Sequence, residues 1–187
     1  IGLNYKDHAA ESDMKLPERP LVFSKFPTCI IGPGDEIRLP AGSEKADYEA
    51  ELAVVIGKRG RNIDKDRAME YVLGYANFND VSERGFQFAD GQWQRGKSCD
   101  TFAPIGPYLV TTDATLQSSN TDQLIFDVPT LISYISETIT LEPGDVIATG
   151  TPAGVGFARN PPVYLKAGDV VEVEIQGLGT LSNPVCG

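Results

Sequence analysis

A strand-dominated α+β fold is predicted, and three observations predict it. Thirteen prolines and nineteen glycines in 187 residues cut the chain into short apolar runs, a density of breakers that suits short strands and few long helices. Those runs are rich in Val, Ile, Phe and Tyr, residues that fit a pleated, half-buried surface. Their spacing shows no regular alternation of strand and helix, so a doubly wound parallel sheet is not expected. With 41% hydrophobic residues the chain can bury one substantial core and is short for two. A single domain over 1–187 is therefore expected.

In chain order, a short helix is expected over Tyr5–Glu11 and a strand over 20–26, followed by a Gly-Asp turn into a strand at 36–39. Strands follow at 51–57 and 72–79, with a helical segment over Lys65–Val72 leading into the second. A helix over Val81–Phe88 precedes strands at 105–110 and 124–128. The helix expected over Pro129–Thr138 opens on a proline, whose missing N–H costs nothing in a first turn. Strands at 145–149, 169–175 and 178–182 complete the prediction. The segments PGDEI at 33–37, PGDVI at 143–147 and AGDVV at 167–171 share a Gly-Asp turn before a β-branched strand, which is turn chemistry rather than a site.

Sixteen Lys and Arg against twenty-six Asp and Glu give a net charge of −10. No basic run could track a phosphate backbone, so nucleic acid is not an expected partner. An acidic surface repels an anionic substrate, and a carboxylate substrate would need local positive charge from a metal or from selected Arg and Lys. Cys29, Cys99 and Cys186 make no zinc spacing, no CxxC pair and no even disulfide set, which points to a reducing, cytoplasmic setting. No stretch approaches the roughly 18 apolar residues of a membrane span, and no basic-then-apolar leader pattern opens the chain. The chain begins on Ile1 rather than Met.

The run DYEAELAVVIGK at 47–58 starts polar and becomes a buried strand. A period of two puts Glu49 and Glu51 on one face, where two like charges are costly unless a cation sits between them. Oxygen ligands alone select Mg²⁺, Mn²⁺ or Ca²⁺. The competing reading is an exposed strand edge on which both Glu pair with Lys45 or Lys58. The run NFNDVSERGFQ at 77–87 reads as a strand ending at Asp80 and turning into a helix. If Asp80 opens that helix, Asp80, Arg84 and Gln87 share one face. The plain alternative is an N-capping Asp80 with an ordinary helical ion pair to Arg84.

His8 is the single histidine and forms an H-x-x-E pair with Glu11 that one helical turn brings together. A carboxylate on one ring nitrogen leaves the other free to move a proton near neutral pH; a lone surface histidine is the plain alternative. GQWQRGKS at 91–98 satisfies the P-loop pattern, making a nucleotide binder the rival of another class. A P-loop follows a buried strand and opens a helix, whereas this run follows a polar, helical pattern and precedes prolines.

Taken in order, GLNYKDHAAE, PGDEI, DYEAELAVVIGK, GYANFNDVSERGFQ, GKSCDTFAPIGP and PGDVIATGTPAGVG resemble the fumarylacetoacetate hydrolase family over nearly the whole chain. The resemblance implies a mixed β-roll fold, an Mg²⁺ or Mn²⁺ ion on Glu49, Glu51 and Asp80, and a homodimer. It places Arg84 and Gln87 toward the substrate, gives Lys97 the role of facing a substrate oxyanion, and makes His8 and Glu11 a water-activating dyad on a lid. TGTPAGVG at 149–156 resembles the family's carboxylate-binding loop, with Gly150 and Thr151 receiving a substrate anion. Cys99 reads as packing, since no second histidine could activate it. The family usually has residues before IGLN and a longer hairpin near Ala114–Thr115, so either the chain is a compact variant or segments are missing at those places. The implied activity is metal-dependent hydrolysis of the C–C bond of an acylpyruvate, a 2,4-dioxo acid, with the ion as electron sink for a pyruvate enolate. Decarboxylation of oxaloacetate or another β-keto acid, and isomerisation or hydration of an oxo-diacid, are the alternatives within the family.

Overall fold

A computed structural model describes residues 1–89, 91–111 and 121–187. The segment expected to lack part of a hairpin, around Ala114–Thr115, lies outside them. The strand-dominated prediction holds. Helix α1 (Lys6–Glu11) is followed by strands β1 (Ile30–Ile31), β2 (Ile37–Arg38), β3 (Ala46–Asp47), β4 (Ala50–Ile56), β5 (Val72–Asn79) and β6 (Ser82–Glu83). Helices α2 (Arg84–Ala89) and α3 (Gln94–Lys97), strand β7 (Ala103–Thr111) and helix α4 (Val128–Ser136) come next. Strands β8 (Val146–Ala148), β9 (Val170–Glu174) and β10 (Thr180–Cys186) end the chain.

A five-stranded sheet runs in the order β1-β7-β5-β4-β8, a three-stranded sheet in the order β2-β10-β9, and β3 pairs with β6. Strand β4 is covered on both faces. Val54 and Ile56 pack with Leu131, Ile132 and Ile135 of α4, while Ala53 packs with Cys29, Ala76 and Phe78. A third cluster, Ile37, Ala46, Val81, Phe102 and Val185, joins the small sheets. The antiparallel register pairs Ala50 with Asn79 and Glu51 with Phe78, and the Asp80 N–H donates to the Glu49 carbonyl at 2.9 Å. This register sets Glu49 across from Asp80, with Glu51 one period along on the face that continues into Ala53.

Several elements depart from expectation, each for a local reason. Residues 20–26 form only an isolated bridge, Gly2 to Leu21, and Leu21, Val22 and Phe26 are exposed, so no partner strand among the described residues stabilises that run. At 124–128 the Asp127 carboxylate accepts the Thr130 N–H at 2.9 Å, and this N-cap starts α4 where strand propensity pointed to sheet. Lys65–Tyr71 is a 3-10 helix. Ser82 and Glu83 pair with Asp47 and Ala46, so the helix begins at Arg84 and Asp80 does not open it. The last strand also runs later than 178–182, because Gly177 and Gly179 take positive φ and make that stretch a turn.

Candidate active site

The three carboxylates converge. Ligand atoms of Glu49, Glu51 and Asp80 lie within 4.8 Å of one another, and all three residues are buried. The competing surface reading therefore fails for both Glu: neither is exposed, and neither pairs with Lys45 or Lys58. The cations that meet the cluster are Lys97, 2.8 Å from Glu49 Oε2 and 2.9 Å from Asp80 Oδ2, and Arg84, 2.7 Å from Glu49 Oε1. Lys25 Nζ adds a contact of 2.7 Å to Asp80 Oδ1 and also donates to the carbonyls of Val81 and Lys97.

Burial by itself would raise the pKa of every one of these acids. At Asp80 the ammonium groups of Lys25 and Lys97 outweigh it and hold the carboxyl below the usual carboxylate range. At Glu49, Lys97 and Arg84 do the same. Burial also opposes the charge of Lys97, yet Asp80 and Glu49 raise its pKa above the ordinary lysine value. Among the described residues no Lys or Arg side chain pairs with Glu51: burial, then the charges of Asp80 and Glu49, push it up to about 8. Its Oε2 accepts the Gly150 N–H at 2.8 Å, while buried Oε1 has no hydrogen-bond partner among the described residues.

That orphaned oxygen is the observation that fits a divalent ion. A buried acceptor left unsatisfied costs about 1–3 kcal/mol, and a carboxyl kept protonated by burial and neighbouring carboxylates is one that a cation would ionise. Oxygen donors alone suit a hard ion, so the site can hold Mg²⁺ or Mn²⁺.

Lys97 arrives by a route other than the P-loop pattern suggested. The segment before it is helix α2, and α3 is a single turn ending at Lys97. A Cβ on Gly96 would stand 2.5 Å from Gln87 N and 2.6 Å from Glu83 O. The glycine therefore allows close packing of α3 on α2, which drives Lys97 inward onto the carboxylates. Gly96→Ala is expected to lift α3 and destabilise the fold by about 1–3 kcal/mol, read from the denaturant midpoint; an unchanged midpoint counts against this packing role.

Arg84 and Gln87 lie one turn apart on α2, and Arg84 Nη1 donates to Gln87 Oε1 at 3.0 Å. Arg84 also chelates Asp47, with Nε at 2.9 Å and Nη2 at 2.8 Å from Oδ2. Its N–H groups are thus largely committed to protein acceptors. Gly150, at φ +104°, turns its N–H to Glu51 instead of leaving it for a substrate anion. Among the described residues the buried Thr151 hydroxyl has only a 3.5 Å contact to the Pro152 carbonyl.

His8 is buried and its Nδ1 lies 2.8 Å from Glu11 Oε1. The Gly154 N–H donates to both Glu11 oxygens at 3.1 and 2.9 Å, which seats α1 against the 154–158 loop. His8 meets Glu49, Arg84, Gln87, Lys97 and Thr151 around one cavity of about 60 Å³. Met14, Phe88, Trp93 and Phe157 are also in its wall. A larger hollow of about 1070 Å³, bounded by Phe26, Arg38, Phe86 and Asp100, holds none of the three carboxylates. The smaller cavity is the chemically equipped one. Sequence reasoning missed Lys25 and Asp47: Lys25 sits in a run read as a strand, and Asp47 in the polar opening of another, where neither carries a local signal.

No helix among the described residues is long and apolar enough to cross a membrane. The family described as fumarylacetoacetate (FAA) hydrolase C-terminal matches residues 1–186. The mitochondrial oxaloacetate tautomerase of Xenopus laevis is 48% identical over 99% of the chain, which spans 64% of that relative's length. Among solved structures, a fumarylacetoacetate hydrolase from psychrophilic Exiguobacterium antarcticum superposes with a TM-score of 0.90 at 44% identity, over 100% of the chain and 73% of its own. A 5-carboxymethyl-2-hydroxymuconate delta-isomerase from Mycobacterium smegmatis gives 0.86 at 42% identity, over 100% and 76%.

Proposed function

We infer, since the chain belongs to the fumarylacetoacetate hydrolase family, that it is a divalent-metal-dependent enzyme for small, enolisable 2-oxo acids, and that His8 moves a proton beside the 2-oxo group. The observation that carries this reading is one small cavity lined by buried His8, Arg84 and Lys97, with the His8 ring held from outside the cavity by Glu11. We take keto–enol interconversion of a compact acid of the oxaloacetate type as the primary activity. The tautomerase and isomerase relatives carry names of that chemistry.

Glu49, Glu51 and Asp80 would hold Mg²⁺ or Mn²⁺, which would supply Lewis acidity toward a 2-oxo acid. The protein does the rest. Glu11 on Nδ1 holds the ring of His8, which lines the cavity, leaving Nε2 as the base, and the imidazolium that forms is stabilised by that carboxylate. The proton taken from C3 returns to the oxygen that gains it in the enol. Lys97, kept charged by Asp80 and Glu49, stabilises negative charge developing on that oxygen. Arg84 contributes charge more than contacts, since its N–H groups are committed to Asp47, Glu49 and Gln87. Phe157, edge-on to His8 with centroids 6.3 Å apart, helps exclude water.

Hydrolysis of the C3–C4 bond of an acylpyruvate is the alternative reading, in which the same dyad takes its proton from water. The specific observation that favours it is the apolar wall of Met14, Phe88 and Trp93, which suits an acyl group better than a further carboxylate. Incubating the Mg²⁺-loaded protein with oxaloacetate and with an acylpyruvate, and following enol absorbance, CO₂ release and acid products, separates the readings. Faster enol equilibration without CO₂ supports the tautomerase. Cleavage of the acylpyruvate alone selects the hydrolase, and inactivity on both overturns the assignment. A homodimer and a reducing, cytoplasmic setting belong to the proposal; the three free cysteines fit a reducing compartment.

Metal binding should carry a proton signature. A raised pKa means that the metal-free folded state holds a Glu51 proton below pH of about 8, so its stability falls as pH climbs toward that value. Binding an ion expels the proton, and affinity is expected to rise by about tenfold per pH unit below 8 and then level off. Calorimetry with Mg²⁺ in buffers of different ionisation enthalpy reads the released proton directly; a pH-independent affinity contradicts the assignment of Glu51 as a ligand.

A further inference from the structure

We propose that Asp47 is a positioning residue that ties the cationic floor of the cavity to the seat of the His8–Glu11 dyad, an inference that rests on the dyad reading above. Asp47 ends β3 with none of its surface exposed, so it touches no substrate. A buried carboxylate persists only when its oxygens are paired and hydrogen-bonded, and those of Asp47 are bonded in two directions. Toward the floor, Oδ2 takes Arg84 Nε and Nη2 at 2.9 and 2.8 Å. Toward the lid, Oδ1 accepts the Gly156 N–H at 2.7 Å and Oδ2 the Phe157 N–H at 3.2 Å. The Tyr48 N–H, at 2.9 Å from Oδ1, completes the set.

The same loop is what α1 docks on. Gly154 gives its N–H to Glu11, and the Phe157 ring lies between His8 at 6.3 Å and the Arg84 guanidinium at 4.5 Å. One carboxylate therefore sets both where Arg84 stands and where the loop places Glu11. The approach leaves no room for a side chain: a Cβ on Gly156 would stand 2.0 Å from the Val163 carbonyl oxygen and 2.5 Å from Asp47 Oδ1. A simple ion pair with Arg84 would need neither the loop N–H groups nor this glycine.

Asp47→Asn tests the tie with little change in volume. Whichever way the amide turns, its NH₂ faces either Arg84 or the Gly156 and Tyr48 N–H groups, so one half of the tie breaks. In the full chain with Mg²⁺ bound, kcat on the 2-oxo acid is expected to fall by about 10- to 100-fold, as small misplacements do, with KM within about threefold. Amide exchange over residues 5–14 and 153–158 is expected to quicken while Mg²⁺ affinity holds. Because Asp47 acts in part through the seat of Glu11, the loss in the double variant with Glu11→Gln should be smaller than the product of the two single losses. Unchanged exchange in 5–14, or losses that multiply in the double variant, overturns the proposal. Should Asp47→Asn not fold, Gly156→Ala probes the loop side, since its Cβ would stand 2.5 Å from Asp47 Oδ1: faster exchange in 5–14 is expected, and its absence also overturns the proposal. If His8→Gln keeps full activity the dyad reading fails, yet the exchange measurement still judges the tie.

Discussion

Glu51→Gln is expected to abolish binding of the divalent ion while leaving the metal-free fold at least as stable as before. The two halves of this result come from one fact. In the metal-free protein Glu51 is fully buried beside Asp80 and Glu49, and its carboxyl is pushed up to about 8, so near neutral pH it is already an uncharged group. Glutamine reproduces that neutral side chain in size and can still accept the Gly150 N–H that now bonds Oε2. It cannot supply the third anionic donor. Loss of outer-shell partners alone costs about 10- to 100-fold in metal affinity, and loss of a ligand should exceed that. Calorimetry with Mg²⁺ and a thermal melt without metal check both halves. Affinity retained within severalfold would remove Glu51 from the ligand set, and a sharply lower melting temperature would show that the carboxyl serves the fold.

His8→Gln is expected to lower kcat on the 2-oxo acid by roughly 10²- to 10⁴-fold, the span that a positioned acid–base group contributes, with Mg²⁺ affinity unchanged. Glutamine can reach Glu11 but cannot take a proton at neutral pH. The ring is placed by two successive contacts, Nδ1 to Glu11 at 2.8 Å and Glu11 to Gly154 at 2.9 Å. Glu11→Gln should therefore lose less than His8→Gln, since the ring stays in place with weaker support. Steady-state kinetics on the two variants decides it; full turnover by His8→Gln assigns the proton transfer to another group or to solvent.

Much of this site is legible in the sequence. Period-two spacing puts Glu49 and Glu51 side by side, the H-x-x-E spacing puts His8 over Glu11, and both pairs stand together in the fold. Each is a local relation, fixed by strand or helix geometry within a few residues. For Asp80 the spacing gives the wrong reason, a helix opener sharing a face with Arg84. It joins the glutamates because the β4–β5 register sets it opposite Glu49, a long-range pairing that no local period reveals. The GKS signature misleads in the opposite way. Its glycine serves helix packing and its lysine binds carboxylates, because a motif has meaning only in its structural setting.

Lys25 and Asp47 mark the boundary between the two kinds of information. Their local contexts, a run flanked by prolines and the polar start of a strand, carry no sign that one will lie 2.7 Å from Asp80 and the other will clamp Arg84 to the 156–157 loop. Strand content, the helix opening on Pro129, the paired glutamates and the His–Glu pair were settled by the amino-acid order, since propensity, capping and periodicity act over a few neighbours. Which charges neutralise which, why Glu51 of the three acids has no Lys or Arg side chain paired with it among the described residues, and how the dyad is seated were decided only by tertiary packing. Burial strips water from all of these groups at once, and the free energy of each charge then depends on partners brought from distant parts of the chain.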